Sequence, residues 1–395
     1  MKAFDYITEK IDTGACVDII YTDFSKAFDT VPHHRLLSKL NRYKISSQMI
    51  NWIRSFLFGR KQRLNIHGVK SGWKKVLSGV PQGSVLGPLL FVIYINDIVH
   101  NLTNESLLYA DDMKLFGACL SLLDYYGLQN DLDIIVDWTD YSLIQLNAPK
   151  CKLLSVNKKH QIISHDPYYL NIKNNRIALE SSQCEKDLGI LIDENLSYDN
   201  HIAAIIKKAN RNLGIIKRNC KDMCGSSFVM LYKSLVRSLL EYGQTLWSPY
   251  KKKHIRDLEK VQKRATKSIP GFKNLTYSQR LRNLKLPSLV YRRLRGDMIE
   301  TFKILRGFYD YECSPKLPKA IYSSTRGHSL KLFKKSVKTK IRSNFFSIRV
   351  VDYWNSLPED VISASTIDGF KARLDRHWIN QPVLYNFEAE FIFNT

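Results

Sequence analysis

The sequence of 395 residues lacks any apolar run long enough to cross a membrane. Its longest apolar run, residues 86–95, has about half the length of a membrane-spanning helix. Charged residues at positions 2, 5, 9 and 10 also interrupt the start of the chain, so the apolar core of a signal peptide is missing. These absences predict a soluble intracellular protein with no membrane partner.

Cysteine is sparse and irregularly placed. The seven cysteines are an odd number, and only Cys220 and Cys224 lie close together. Neither a histidine nor a second cysteine pair is near enough in sequence to complete a zinc knuckle. Such cysteines are typical of reduced thiols in an intracellular protein.

Acidic residues are scarce in the second part of the chain. The whole sequence has 60 Lys and Arg against 37 Asp and Glu, whereas residues 1–150 have 16 against 15. Aromatic residues, 11% of the chain, alternate with the basic ones in the second part. A neutral part followed by a basic part favours catalysis in the first and nucleic-acid binding in the second. A solvated basic surface and binding to an anionic membrane are the alternatives.

The pattern of apolar residues predicts an α+β chain followed by basic amphipathic helices. A β-rich strand, residues 17–23 (VDIIYTD), ends in an acid. Two further short strands are predicted at 63–66 and 75–77. Helices are predicted at about 36–58, 86–98, 121–143, 201–218, 254–269 and 290–305.

Two adjacent carboxylates, Asp111 and Asp112, lie between two apolar runs in residues 106–116 (SLLYADDMKLF). Neighbouring side chains of a straight strand point to opposite faces. A tight hairpin with both aspartates at its tip could direct them to one place, and Asp tolerates positive φ angles. Crowded carboxylates repel each other unless a cation is present. A divalent metal site is one interpretation, and a polar hairpin turn is the other.

Asp23 is the candidate third ligand because it ends an apolar strand. Three carboxylates at one sheet edge could hold two Mg²⁺ ions about 3.5–4 Å apart, which activate a 3′-hydroxyl and stabilise a leaving pyrophosphate. Oxygen ligands without histidine fit Mg²⁺ or Mn²⁺ better than zinc. The alternative role of Asp23 is to cap the following helix.

Three blocks of the sequence form a recognisable set: residues 21–40 (YTDFSKAFDTVPHHRLLSKL), 78–98 (SGVPQGSVLGPLLFVIYINDI) and 109–112 (YADD). In this order they resemble the reverse transcriptases of non-LTR, LINE-type retrotransposons, with a jockey-like character. Further similar segments are residues 51–62 (NWIRSFLFGRKQ), 146–154 (LNAPKCKLL) and 187–202 (DLGILIDENLSYDNHI). The similarity is strong over roughly residues 6–220 and weaker to near residue 378.

The resemblance implies a right-hand polymerase palm, an antiparallel sheet packed on helices, followed by a basic helical thumb and a C-terminal helical extension. The expected domains are the palm at 1–160, the primer-grip region and thumb at 161–270, and the basic extension at 271–395. The implied partners are template RNA, a DNA primer and deoxynucleoside triphosphates. The implied location is the nucleus or a cytoplasmic ribonucleoprotein.

The family's motifs also imply roles for individual residues. Asp23, Asp111 and Asp112 would hold two Mg²⁺ ions, with Mn²⁺ as the alternative and Asp112 as the looser ligand. The backbone carbonyl of Phe24 would complete one coordination shell. Lys150 would protonate the leaving pyrophosphate, and general attraction of phosphate is its alternative role.

Other motif positions concern the nucleotide and the primer. Phe28 would be a steric gate against a ribose 2′-hydroxyl, with an ordinary core phenylalanine as the alternative. Gln82 and Gly83 would approach the incoming nucleotide closely, since a Cβ at the glycine would block that approach. Gly189 would mark the primer-grip turn, or else a β-bulge. The expected phosphate contacts of the thumb are Lys207, Lys208, Arg211, Lys217 and Arg218.

The sequence departs from the family at its start, because only 22 residues precede Asp23. We therefore expect the fingers and the amino-terminal endonuclease to be absent. A truncated copy, a start codon inside a longer frame, or a partner such as an upstream-encoded fingers or endonuclease segment would explain this. Two functions are open: an RNA-directed DNA polymerase using two-metal nucleotidyl transfer, and a catalytically inactive nucleic-acid-binding remnant.

Overall fold

The structure, a computed structural model, describes residues 1–157, 165–173, 175–219, 224–320 and 328–393. The chain divides into two compact units, one of residues 15–185 and one of residues 1–14 with 186–395. No helix within the described ranges is long and apolar enough to cross a membrane. Cys220, one of the close cysteine pair, lies outside them.

Residues 1–193 contain both helices and strands, and the described elements after them are helices. The first set is α1 (Lys2–Asp12), β1 (Cys16–Thr22), α2 (Ala27–Thr30), α3 (His33–Arg42), α4 (Ser47–Leu57), β2 (Lys61–Gln62), β3 (Asn65–Ile66), β4 (Val69–Lys70), β5 (Lys74–Lys75), α5 (Leu86–Ile95), β6 (Glu105–Tyr109), β7 (Asp112–Cys119), α6 (Leu122–Ser142), β8 (Lys152–Val156), β9 (Tyr169–Ile172), β10 (Asn175–Ala178), β11 (Glu180–Ser181), β12 (Cys184–Asp187) and β13 (Ile190–Asp193). The second set is α7 (Asp199–Asn219), α8 (Gly225–Leu231), α9 (Ser238–Glu241), α10 (Gln244–Trp247), α11 (Lys252–Lys267), α12 (Tyr277–Asn283), α13 (Leu289–Leu305), α14 (Lys340–Asn344), α15 (Phe346–Asn355), α16 (Glu359–Ile362) and α17 (Ile367–His377).

The centre of the first unit is a five-stranded sheet in the order β11-β8-β1-β7-β6. β1 pairs antiparallel with β7 on one side and with β8 on the other. Its Val17, Ile19 and Ile20 are each at most 1% exposed. A nearly continuous run of β-branched residues suits a strand that is covered on both faces. β1 is therefore the central strand of this unit.

Helices cover this sheet, and α6 packs against β7. α6 begins at a capping box, in which Ser121 Oγ accepts from the Asp124 backbone N–H and the Asp124 carboxylate accepts from the Ser121 N–H. Its Leu128, Leu132 and Ile135 are fully buried in the core. The apolar periodicity that predicted a helix here therefore reflects one face packed on the sheet.

The predicted α+β class, with an antiparallel sheet packed on helices and a helical region after it, is confirmed. The single helix predicted over 36–58 is wrong, because α3 and α4 are separate. Between them Lys44 has a φ of 57°, and Ser46 Oγ accepts from the Met49 N–H and so begins a new helix. The short strands predicted at 63–66 and 75–77 are displaced to β2–β5, which form two small ribbons.

The second unit is mainly helical. α13 packs against α15 and α17, and the rings of Phe302 and Phe370 stack there at 4.3 Å. Trp247, Trp354 and Trp378 are each at most 1% exposed. The helix from 225 to 241 is continuous, with a π-helical stretch at 232–237 between α8 and α9.

The first helix of the chain, α1, belongs to this second unit through a buried ion pair with α14. Arg342 Nη1 donates to Asp5 Oδ1 at 2.8 Å, and also to the Asp5 carbonyl and to Thr8 Oγ1. The Arg342 and Asp5 side chains are only 4% and 12% exposed. Ser347 Oγ is a further donor to the carboxylate. The pair is thus desolvated and has its hydrogen bonds satisfied.

Removing the negative charge of this pair should destabilise the second unit strongly. Asp5→Asn leaves the Arg342 charge buried without a counter-ion, which costs about 3–5 kcal/mol. The matched control is Glu9→Gln on the same helix, which breaks the exposed ion pair with Lys335 at a cost of at most about 1 kcal/mol. Urea unfolding followed by tryptophan fluorescence measures both, and equal effects would contradict the assignment.

Candidate active site

A tight hairpin joins β6 to β7, as the sequence predicts, but its turn is made by Ala110 and Asp111. Tyr109 pairs with Asp112, so Asp112 is the first residue of the returning strand. The positive φ, 54°, falls on Ala110 and not on an aspartate. A left-handed backbone at a residue with a Cβ costs about 1 kcal/mol. The sheet holds this strained turn in place, with Asp111 at the tip of the hairpin.

Asp23 follows β1, the strand beside this hairpin. The last registered pair of β1 and β7 is Thr22 with Met113. Asp23 and Asp112 are therefore the next residues along these two neighbouring strands. The register brings the backbones of the three aspartates to one edge of the sheet.

A second segment, residues 145–147, holds the chain just after β1 from its other side. The Ser25 N–H donates to the Gln145 carbonyl, and the Asn147 N–H donates to the Asp23 carbonyl, each at 2.7 Å. These bonds flank an antiparallel bridge between Phe24 and Leu146. Within the described residues, nothing donates to the Phe24 carbonyl. That oxygen is available for an external ligand.

Lys150 and Cys151 complete the surroundings of Asp23. The Lys150 ammonium lies 3.5 Å from Asp23 Oδ2, and these side chains are 67% and 38% exposed. The Asp23 N–H donates to Cys151 Sγ at 3.5 Å. Burial raises the pKa of the Cys151 thiol to about 11, so the sulfur is neutral at physiological pH. Of these two neighbours of Asp23, Lys150 is therefore the charged one.

The donor set at this edge consists of carboxylate and carbonyl oxygens, which suit Mg²⁺. In the side-chain positions of the described residues, however, no three His, Cys, Asp or Glu lie close enough together to hold a metal ion. The fit to a divalent cation thus rests on donor chemistry and on the backbone register of Asp23, Asp111 and Asp112. It does not rest on a formed cluster of ligands.

The turn at 79–83 lies next to α2, the helix that contains Phe28. The Val80 N–H donates to the Phe28 carbonyl at 2.8 Å. The Phe28 ring is half-buried and stacks on Phe91 with centroids 4.5 Å apart. Gln82 Nε2 donates to Asp29 Oδ1 at 3.2 Å. Phe28 and Gln82 thus both lie at α2, which contains Phe28 and Asp29.

Gly79 is a residue of this site that the sequence reasoning missed. Its N–H donates to the Val31 carbonyl, and its carbonyl accepts from His33 Nε2 and Arg60 Nη2 at 2.8 and 2.7 Å. Burial lowers the pKa of His33, which favours the neutral ring. A Cβ at Gly79 would lie only 2.6–2.8 Å from backbone atoms of Asp29. The first glycine in the motif GVPQG, residues 79–83, was the available signal.

The basic residues expected to contact phosphate lie on α7, in the second unit. Lys207, Lys208, Arg211 and Arg218 are exposed there. Lys217 is half-buried, and its desolvation, together with the charge of Arg264, lowers its pKa.

Gly189 also belongs to the second unit, with a φ of 86°. It follows Leu188, whose φ is 45°, in the two-residue turn between β12 and β13. Positive φ angles at both residues indicate a type I′ hairpin turn and not a bulge.

The sequence of this chain is similar to those of known RNA-directed DNA polymerases. The family model described as reverse transcriptase (RNA-dependent DNA polymerase) matches residues 8–185. The RNA-directed DNA polymerase from mobile element jockey of Drosophila melanogaster is 31% identical over 284 residues, covering 68% of this chain and 30% of that protein. The probable RNA-directed DNA polymerase from transposon X-element of the same species is 24% identical over 299 residues, covering 73% of this chain and 32% of that protein.

The chain thus spans about a third of the length of these curated relatives. A solved telomerase from Candida tropicalis, in complex with a TWJ fragment of telomeric RNA, is 11% identical with a TM-score of 0.40. That match covers 74% of this chain and 47% of the telomerase chain. A score this low supports no inference about the fold.

Two glycines of the same turn allow a matched test of the site's packing. Gly79 and Gly83 have φ angles of 87° and 82°, but a Cβ at Gly83 meets nothing within 4 Å. Gly83→Ala should cost about 1 kcal/mol of stability from backbone strain alone. Gly79→Ala should cost about 1–3 kcal/mol more, because the Cβ collides with Asp29. Thermal unfolding of both variants measures the difference, and equal midpoints would refute the close contact.

Proposed function

This chain carries a reverse transcriptase domain of the non-LTR retrotransposon type, and we propose that it is an RNA-directed DNA polymerase that copies template RNA into DNA. The observation that carries the proposal is the position of Asp23, Asp111 and Asp112 at one edge of the sheet. Asp23 follows the central strand β1, which is paired on both sides, and Asp111 and Asp112 lie on the hairpin that carries its neighbour β7. The proposed reaction adds a deoxynucleotide to a primer 3′-hydroxyl and releases pyrophosphate.

We propose that Asp23, Asp111 and Asp112 hold two divalent ions, Mg²⁺ or Mn²⁺, with Asp112 as the looser ligand. The Phe24 carbonyl, which accepts no bond from the described residues, is the proposed backbone ligand. When bound, such ions polarise the attacking hydroxyl and neutralise charge on the phosphates. The carboxylates and the carbonyl serve to keep those ligand positions fixed relative to the nucleotide.

Lys150 is proposed to act on the leaving group. Its ammonium lies 3.5 Å from Asp23 Oδ2 and is 67% exposed, so it can turn from the carboxylate towards a phosphate. A lysine in that position can donate a proton to pyrophosphate as the bond to the α-phosphorus breaks. It also attracts the triphosphate before the reaction, so this single residue combines the two roles.

Phe28, Gln82 and Gly83 are proposed to hold the nucleotide. The Phe28 ring is fixed by its stack on Phe91, so it can act as a rigid wall against a ribose 2′-hydroxyl. Gly83 has open space where a Cβ would stand, which leaves room for a close approach of the substrate to the backbone. Together these features favour deoxynucleotides over ribonucleotides.

The exposed cations of α7 are proposed to contact the phosphates of a template–primer duplex: Lys207, Lys208, Arg211 and Arg218, with Lys217 at their margin. Residues 1–160 are the proposed palm, 161–270 the primer-grip region and thumb, and 271–395 a C-terminal extension. The proposed partners are template RNA, DNA primer and deoxynucleoside triphosphates. An upstream-encoded fingers or endonuclease segment is a further proposed partner.

Primer extension on poly(A) with oligo(dT) and Mg²⁺ tests the polymerase proposal. Asp23→Asn and Asp111→Asn should each lower the extension rate by at least about 100-fold, because each removes charge that stabilises the transition state. Asp137→Asn is the matched control, since that carboxylate is exposed on α6 and should have no effect. If the unchanged chain extends no faster than Asp111→Asn/Asp112→Asn, while still binding the primed template, the proposal fails.

The sugar preference tests Phe28 separately. Phe28→Ala should lower the discrimination between deoxynucleotides and ribonucleotides by about tenfold, because the wall against the 2′-hydroxyl is removed. Phe28→Tyr keeps the ring and should keep the preference. The measurement is the ratio of kcat/KM for dTTP and UTP in the same assay. An unchanged ratio in Phe28→Ala would remove the gate from the proposal.

A further inference from the structure

Residues 61–75, here called the arm, form two short ribbons that project from the first unit. β2 pairs with β5, β3 pairs with β4, and the tip is the turn at His67 and Gly68, whose φ angles are 48° and 87°. Every residue of the arm is exposed. An isolated ribbon without a core is marginally stable in water. The arm is thus a candidate for stabilisation by a partner.

The charge of the arm identifies the kind of partner. The arm contains five Lys and Arg and no acid, although residues 1–150 as a whole are almost neutral, with 16 Lys and Arg against 15 Asp and Glu. Lys61 lies directly opposite Lys75 in the ribbon. Like charges in opposite positions destabilise a strand pair. A polyanion relieves this repulsion, whereas an apolar partner or a basic protein does not.

An exposed aromatic ring adjoins this ribbon, and strand alternation along β5 places it on the side of Lys75. The Arg63 guanidinium lies 4.5 Å from the centre of the Trp73 ring. Arg63 directly follows β2, and Trp73 directly precedes β5. The intervening pair, Gln62 with Lys74, points to the opposite face. Trp73 remains 60% exposed. One face of its ring is covered by Arg63, and the remaining surface is open to a planar group.

The base of the arm is attached to the candidate active site. The Val76 N–H donates to the Arg60 carbonyl, and the Arg60 guanidinium donates to the Gly79 carbonyl. Gly79 in turn binds Val31 through its backbone N–H. A ligand held by the arm would therefore lie within the same unit as the three aspartates and close to the turn that carries Gln82.

We propose that the arm binds single-stranded nucleic acid, with phosphates against Lys61, Arg63 and Lys75 and an unpaired base stacked on Trp73. Aromatic stacking and phosphate contact together are the usual means of holding unpaired strands. A duplex has no free base faces to offer Trp73, so the arm discriminates single strands from duplexes. The place of this strand in polymerisation rests on the proposed function, whereas the binding itself does not.

Binding of fluorescein-labelled, unstructured RNA and DNA oligonucleotides of one sequence, followed by anisotropy, tests this proposal. Trp73→Leu should weaken binding of the single strand by about 5- to 150-fold and leave binding of a labelled RNA duplex unchanged. Leu64→Ala, an exposed apolar residue of the same arm, is the control and should have no effect. The RNA and DNA series show whether the arm prefers either sugar.

Charge is tested with two neighbouring lysines on opposite faces. Lys75→Gln should lower the slope of log affinity against log salt by about 0.7 for a single strand, the value for one phosphate contact. Lys74→Gln should change that slope much less. The measurements are repeated with Lys207, Lys208 and Arg211 changed to Gln, so that binding by α7 does not mask the arm.

The outcomes separate this proposal from the polymerase proposal. Loss of single-strand binding in Trp73→Leu supports the arm even if the chain extends no primer. Equal loss in Lys74→Gln and Lys75→Gln, or equal loss of single strand and duplex in Trp73→Leu, would overturn it. Unchanged binding in both Trp73→Leu and Lys75→Gln would also overturn it, even in a chain that extends primers.

Discussion

The pairing of β1 on both sides determines the position of every group at the candidate active site. β7 holds one side of β1 and β8 the other, so β1 cannot slide without breaking two ladders. A slip by one residue would turn its side chains to the other face of the sheet. It would also move Asp23 away from the hairpin that carries Asp111. A central strand that is buried and paired on both sides is therefore the condition for a precise polar edge.

Local conformational preferences are overridden close to that edge. Lys26 and Ala110 have φ angles of 47° and 54°, although neither is a glycine. Gly79 packs so tightly on Asp29 that no Cβ fits between them. Such conformations persist only where the surrounding structure enforces them, and they tend to cluster at functional sites. Lys26 lies three residues after Asp23 and Ala110 directly precedes Asp111, so both strained residues adjoin the candidate ligands.

Much of the fold followed from local patterns, and the features that did not follow depend on a long-range contact or on an unfavoured backbone angle. β1, α5, α6, α7, α11 and α13 lie close to where apolar periodicity predicts them, since each buries one face or both. The pairing of Asp5 with Arg342 joins residues 337 apart in sequence, and no local pattern signals it. The break between α3 and α4 depends on Lys44 adopting a positive φ, which its residue type does not favour.

The site was predictable to a similar extent. The three aspartates, Phe28 and Gln82 could be selected by motif, because their chemistry is carried by residue type. Gly79 could not, because its importance arises from the absence of a side chain at one point of contact with Asp29. The faces of the arm were equally hidden, since they depend on the register that sets Lys61 opposite Lys75.

The basic residues of α7 and those of the arm suit different forms of nucleic acid, a duplex and a single strand. The exposed basic residues of α7 lie on a helix and offer point charges, which bind phosphates regardless of base pairing. The arm combines charges with the open ring of Trp73, and a ring gains most from a base that is not already stacked in a duplex. The proposed reaction, which copies a single strand into a duplex, needs both kinds of surface. The proposed reaction thus accounts for the five basic residues of the exposed arm, within the nearly neutral residues 1–150.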